Sequence, residues 1–75
     1  MLLTLQEMTQ NQSGIIKAIN GGYRLQEKLN ALGIRETIKI KKLSNALLGG
    51  PVTIRIDSME IAIGKRMAEK IIVEV

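Results

Sequence analysis

The 75-residue sequence contains no cysteine and no histidine. Without cysteine, the chain can form neither a disulfide nor a zinc site built on thiolates. The lack of histidine removes the commonest general base and the commonest metal ligand among side chains. Sequence signatures of catalysis, such as a phosphate-binding P-loop or a nucleophile elbow, are also missing. The sequence therefore predicts a protein that is not an enzyme.

Aromatic residues and long apolar runs are equally scarce. Tyr23 is the one aromatic residue, so we expect a core of isoleucine, leucine, valine, alanine and methionine. No apolar run approaches the roughly 20 residues that span a bilayer, and the first residues do not resemble a secretory signal. We expect a single cytoplasmic domain over residues 1–75, with the modest stability that is typical of this size.

Basic residues outnumber acidic ones by eleven to seven, which gives the chain a net charge of +4. This balance is compatible with a nucleic acid, an anionic membrane surface or an acidic protein as partner, although most charged residues are expected simply to solvate the surface. Proteins that bind single-stranded nucleic acids stack the bases on aromatic rings, which this composition does not supply. We therefore expect no nucleic-acid partner.

Local patterns predict the elements of the first half of the chain. Thr4 and Glu7 fit a capping box, which predicts a short helical turn up to about residue 8. The β-branched run over residues 15–19 predicts the first strand. Leucines that recur at helical spacing predict an α-helix over about residues 22–32, and Gly33 followed by Ile34 completes a Schellman motif at its end.

The second half of the chain changes to a period of two, which predicts strands with one solvated face. These strands cover residues 37–41, 52–57 and 59–63, and a last strand covers residues 71–75. Asp57 and Ser58 form a hairpin turn, and residues 65–70 form a short helical turn with Met67 or Ala68 facing inward. About five antiparallel strands at this length predict a small barrel capped by the α-helix, because a flat sheet would leave open edges.

Three ordered patterns resemble the FeoA family, ferrous iron transport protein A. The helix pattern is met by Gly21, Gly22, Leu25, Lys28, Leu29, Leu32, Gly33 and Ile34, and the Gly-Gly-Pro loop by Ala46, Leu47, Leu48, Gly49, Gly50 and Pro51. The closing pattern is met by Ile61, Ile63, Ala68, Ile71 and Val73. The resemblance implies a mainly β fold, a small SH3-like barrel with one α-helix and a short C-terminal helical turn.

The resemblance also implies a function. It implies a non-enzymatic accessory protein of a ferrous iron uptake system, which docks on the membrane transporter FeoB and modulates iron transport from the inner face of the membrane. The alternatives are a metal-responsive regulatory module, related to the C-terminal domain of metal-dependent repressors, or a transition-metal-binding domain. Oligomerisation is left open.

The chain departs from the family pattern at Lys42, where the family often has an apolar strand residue. A lysine in a strand that faces the core predicts a local β-bulge, with Leu43 turned inward in its place.

The candidate partner-binding residues lie in the loop over residues 44–51 and on a basic flank. Ala46, Leu47 and Leu48 are apolar residues outside any periodic element, so they either plug the barrel or form a contact patch. The basic flank consists of Arg24, Lys28 and Arg35, together with Lys39 and Lys41; its alternative interpretation is a solvated face.

Metal ligands are few. Asp57 and Glu60 are the nearest pair of carboxylates at a turn, and the preferred interpretation is that they are solvated turn residues. Ferrous iron prefers an imidazole or several carboxylates in one place. We therefore expect no required cofactor, and binding of Fe²⁺ or another divalent metal is implied by the family resemblance alone.

Overall fold

The computed structural model describes residues 1–44 and 50–75, and these residues form six strands and two helices. The strands are β1 (Leu2–Thr4), β2 (Ser13–Ile19), β3 (Lys39–Ser44), β4 (Val52–Ile56), β5 (Met59–Ile63) and β6 (Ile71–Glu74). The helices are α1 (Tyr23–Ala31) and α2 (Lys65–Ala68). Neither of these helices is long and apolar enough to cross a bilayer.

The six strands form one antiparallel sheet in the order β1-β6-β2-β3-β4-β5. The Cα positions extend over 28 × 25 × 24 Å, so the sheet is curled around a core rather than flat. The predicted mainly β architecture is confirmed, with one strand more than the five expected. In the order of the described strands, β1 and β5 stand at the two ends.

The additional strand, β1, precedes the capping box. Leu2, Leu3 and Thr4 pair with Glu74, Val73 and Ile72 of β6. The predicted capping box is present: the Thr4 N–H donates to Glu7 Oε1 at 2.9 Å, and the Glu7 N–H donates to Thr4 Oγ1 at 3.2 Å. The bond from the Thr4 N–H, followed by the Thr4 hydroxyl, lowers the pKa of the Glu7 carboxyl below its ordinary value. The box closes a turn that follows a strand, where the sequence alone predicted a short helical turn.

The predicted Schellman motif ends helix α1. Gly33 has a φ of +88°, a conformation that favours glycine. Its N–H donates to the Asn30 carbonyl at 2.9 Å, and the Ile34 N–H donates to the Leu29 carbonyl at 2.9 Å. Leu29 and Ile34 are both fully buried, as the motif's apolar contact requires. The helix therefore stops where the local sequence predicts, and its inner face joins the core.

The core is aliphatic, as the composition predicts. Its buried members are Leu5, Met8, Ile16, Leu29, Ile34, Ile40, Val52, Ile54, Ile56, Ile63, Ala68, Ile71 and Val73. Ala68 anchors α2 in this core, which confirms the predicted inward face of the short helix. At Gly14, β2 and β6 approach so closely that an added Cβ would lie 2.7 Å from the Glu74 carbonyl oxygen.

Lys42 of β3 is buried, with 1% of its surface exposed, although it is a lysine. The register shifts between Lys42 and Ser44, which confirms the predicted bulge. The predicted exchange with Leu43 is wrong, because the Lys42 side chain stays inside and Leu43 is only half-buried. The reason is that Lys42 Nζ finds two acceptors inside, donating to the Gln6 carbonyl at 2.8 Å and the Met8 carbonyl at 2.6 Å.

Lys42 also binds the same segment through its backbone. We call residues 5–12, which follow β1, the strap. The Lys42 N–H donates to the Gln12 carbonyl at 2.9 Å, and the Asn11 N–H donates to the Lys42 carbonyl at 2.6 Å. Backbone and side chain of one residue therefore hold both halves of the strap against β3.

The predicted hairpin turn joins β4 and β5. Ile56 pairs with Met59, so Asp57 and Ser58 form a two-residue turn. Asp57 has a φ of 54°, a positive value of the kind that two-residue hairpin turns require.

Candidate interaction surface

Helix α1 carries two of the predicted basic residues on one flank. Arg24 and Lys28 are exposed and lie four residues apart, so their side chains share a face. Arg35 lies elsewhere: it lines a hollow with Gln26 and Asn30, which occupy the opposite flank of the same helix. The structure therefore separates Arg35 from the other two.

A second hollow lies on the outer face of the sheet and contains the other predicted lysines. Ser13, Lys39, Lys41, Arg55 and Asp57 line it together with the backbone of β3. We call these five residues the cationic hollow. The strand register explains their proximity, because Ser13 of β2 pairs with Lys41 of β3, and Lys41 pairs with Arg55 of β4. Two neighbouring strands, β3 and β4, thus place three cations side by side.

The charges of the cationic hollow are only partly neutralised. Arg55 Nη2 lies 3.2 Å from Glu60 Oε2 of β5 and forms an exposed ion pair. Among residues 1–44 and 50–75, no carboxylate oxygen lies within 4.0 Å of the ammonium group of Lys39 or Lys41. The two lysines can therefore bind an anionic partner without first breaking an ion pair.

The two carboxylates considered as metal ligands are placed unfavourably for a cation. Asp57 lines the cationic hollow beside Lys39 and Arg55, and Glu60 is bound by Arg55. The neighbouring positive charges of Lys39 and Arg55 repel a metal ion. No group of three or more potential carboxylate ligands occurs in the part of the chain that the structure describes.

Arg55 is a candidate site residue that the sequence alone does not indicate. The period of two correctly placed Lys39, Lys41 and Arg55 on solvated faces of their strands. Grouping Arg55 with the lysines, however, requires the register between β3 and β4. A sequence without a known register gives no signal for that neighbourhood.

Ala46, Leu47 and Leu48, the predicted apolar contact residues, lie outside the described residues. Their role as a contact patch stays a prediction.

Comparison with known proteins identifies the relatives of this chain. A family model described as FeoA domain matches residues 3–75. A solved iron uptake regulatory protein (FeoA) is 31% identical, with a TM-score of 0.88 over 99% of this chain and 96% of that chain. The iron(II) transport protein A from Clostridium thermocellum is 30% identical, with a TM-score of 0.89 over 97% of this chain and 45% of that one. These structures confirm the predicted SH3-like fold.

The same fold occurs inside a larger regulator. A manganese-dependent transcriptional repressor is 19% identical, with a TM-score of 0.88 over 96% of this chain and 40% of the repressor. At this identity the match shows the fold alone. A comparison with curated protein sequences returns no match.

Proposed function

Because the chain belongs to the FeoA domain family, we propose that it is a non-enzymatic, cytoplasmic accessory protein of a ferrous iron uptake system. Its proposed partner is the transporter FeoB, and iron is the cargo of that transporter. The likeness to an iron uptake regulatory protein over nearly the full length of both chains supports a role in the same process. In this role the protein modulates transport by binding FeoB at the inner face of the membrane.

The cationic hollow is the observation that supports a docking site on this face of the sheet. Lys39 and Lys41 project from one strand into the hollow, and Arg55 lies beside them. An acidic segment of FeoB that lies across β3 is bound by the ammonium groups of both lysines. Such charge pairs at an exposed surface guide orientation and the rate of association more than they add affinity.

The test compares three double charge reversals of identical size. Lys39→Glu with Lys41→Glu alters the cationic hollow, and Arg24→Glu with Lys28→Glu alters the flank of α1. Lys65→Glu with Arg66→Glu, two exposed residues of α2, is the control. Each variant changes the net charge by the same amount, so a general loss of electrostatic attraction affects all three alike.

Binding of each variant to the cytoplasmic part of FeoB is measured by titration calorimetry at two salt concentrations. We expect the hollow variant to bind at least tenfold more weakly, about 1.4 kcal/mol, while the α2 control binds like the wild type. If only the α1 variant loses binding, the docking site lies on helix α1 and not in the cationic hollow. Absence of binding by the wild-type protein would refute the proposed partner.

A further inference from the structure

Strand β5 forms an open edge of the sheet. It stands last in the strand order, and among residues 1–44 and 50–75 it pairs only with β4. The outer side of such a strand presents unpaired backbone N–H and C=O groups, which can pair with another strand.

This edge has few of the features that commonly prevent pairing with another strand. Edge strands are commonly protected by very short length, by charged side chains, lysine above all, by proline, or by a bulge. Strand β1, at the other end of the sheet, has only three residues. Strand β5 has five residues, contains neither proline nor lysine, and pairs with β4 without a register shift. Its one charged side chain, Glu60, forms an ion pair with Arg55 of the neighbouring strand. Met59 at its start is 50% exposed.

The hairpin geometry identifies the free groups. Where a two-residue turn closes a hairpin, the closing residues exchange backbone hydrogen bonds, and every second pair after them does the same. Ile56 and Met59 are the closing pair here. The N–H and C=O groups of Glu60 and Ala62 therefore point away from β4, toward the open edge.

We propose that β5 pairs with β5 of a second copy of the chain, antiparallel and around a two-fold axis at Ile61. In this register Met59 lies opposite Ile63 of the second copy, and Glu60 lies opposite Ala62. The free groups of Glu60 and Ala62 then exchange hydrogen bonds across the axis, twice by symmetry. The interface is isologous and closes on itself, so it produces a dimer and no fibre.

Charge and side-chain direction disfavour several alternative registers. A displacement by two residues in one direction places Glu60 opposite Glu60 of the second copy, and directly opposed like charges destabilise a strand pair. A displacement by a single residue places inward-facing side chains opposite outward-facing ones. In the proposed register no carboxylate opposes another, and Glu60 keeps its ion pair with Arg55.

The dimer is expected to be weak. Five residues from each copy make an interface near the low end of specific protein–protein contacts, which lies below about 1,200 Å². We therefore expect dissociation constants between micromolar and millimolar, and a dimer that appears as the protein is concentrated.

Two measurements test the pairing. Sedimentation equilibrium compares the wild type with Ala62→Pro, which removes an edge-facing N–H and leaves the ladder to β4 intact. Ala62→Ser keeps the N–H and is the matched control. We expect a concentration-dependent dimer for the wild type and for Ala62→Ser, and a monomer for Ala62→Pro. A wild type that stays monomeric up to millimolar concentration, or a dimer retained by Ala62→Pro, would overturn the proposal.

Amide hydrogen exchange of the wild type supplies a test that does not depend on how the proline variant folds. As the protein is concentrated, exchange is expected to slow at Glu60 and Ala62. The amides of Met59 and Ile61, which face β4, are expected to stay protected at every concentration. Slowing confined to another part of the chain would place the interface elsewhere and refute the edge pairing.

Discussion

Replacing Lys42 by methionine removes the two side-chain hydrogen bonds that hold the strap and keeps an apolar chain of similar length. The Met8 carbonyl then loses a donor in a buried position, and the Gln6 carbonyl loses one in a partly buried position. A buried carbonyl without a donor costs about 1–3 kcal/mol. Removal of a buried ammonium group offsets part of this loss. We expect Lys42→Met to lower the free energy of unfolding by about 2 kcal/mol at neutral pH.

Urea denaturation and thermal melting measure this change. For a domain of 60–100 residues, 1 kcal/mol corresponds to about 4–8 °C in Tm, so the expected loss is roughly 8–16 °C. Lys39→Met removes the same charge from an exposed position of the same strand and is the control, expected to stay within about 0.5 kcal/mol of the wild type. If Lys42→Met is as stable as the wild type or more stable, the prediction is wrong. The two hydrogen bonds then stabilise the fold by less than the burial of the ammonium group costs.

The pH dependence of stability, compared between the wild type and Lys42→Met, tests the role of the Lys42 ammonium group independently. Burial lowers the pKa of the Lys42 ammonium group. Between this lowered pKa and the ordinary value of about 10.4, the unfolded chain binds more protons than the folded one, so stability rises with pH. The neutral amine still has two N–H donors, one for each carbonyl. The stability difference between wild type and Lys42→Met is therefore expected to widen as the pH approaches 10.4; a constant difference would contradict this account.

Two further predictions concern the helix end and metal binding. Gly33→Val is expected to cost about 1–3 kcal/mol in urea denaturation, since a β-branched residue resists a positive φ. Gly22→Val, at a φ of −71° with nothing within 4 Å of the added Cβ, is the control, and equal stability of the two variants would contradict the Schellman motif. Anaerobic calorimetry of the isolated protein is expected to show no one-to-one site for Fe²⁺ or Zn²⁺ at micromolar affinity. If such a site appears, Asp57→Asn combined with Glu60→Gln tests whether the turn holds the metal.

Features that depend on neighbouring residues could be predicted from the sequence. The Schellman motif at Gly33 and the capping box of Thr4 and Glu7 are local patterns, and both are present. Strand β1 was missed because three residues carry no measurable period, and its pairing partner lies at the other end of the chain.

The site was less predictable than the fold. The position of the bulge after Lys42 followed from a lysine in an apolar pattern. The inward direction of the Lys42 side chain could not be predicted, because the two carbonyls that bind Nζ belong to the strap, which is distant in sequence. The cationic hollow likewise depends on the register that brings Arg55 beside Lys41. Charged residues on separate strands form a site only when the strand register brings them together, and a single sequence does not reveal that register.

The position of β6 between β1 and β2 determines how the chain can fold. Of the six described strands, the last along the chain lies in the sheet between the first two. During translation, β2, β3, β4 and β5 can pair before β6 is made, whereas β1 and the other side of β2 must wait until residues 71–74 have left the ribosome. Such distant pairing slows folding from microseconds toward milliseconds or seconds. Until β6 arrives, the edge of β2 stays open, and this is the interval in which the nascent chain is most exposed to aggregation.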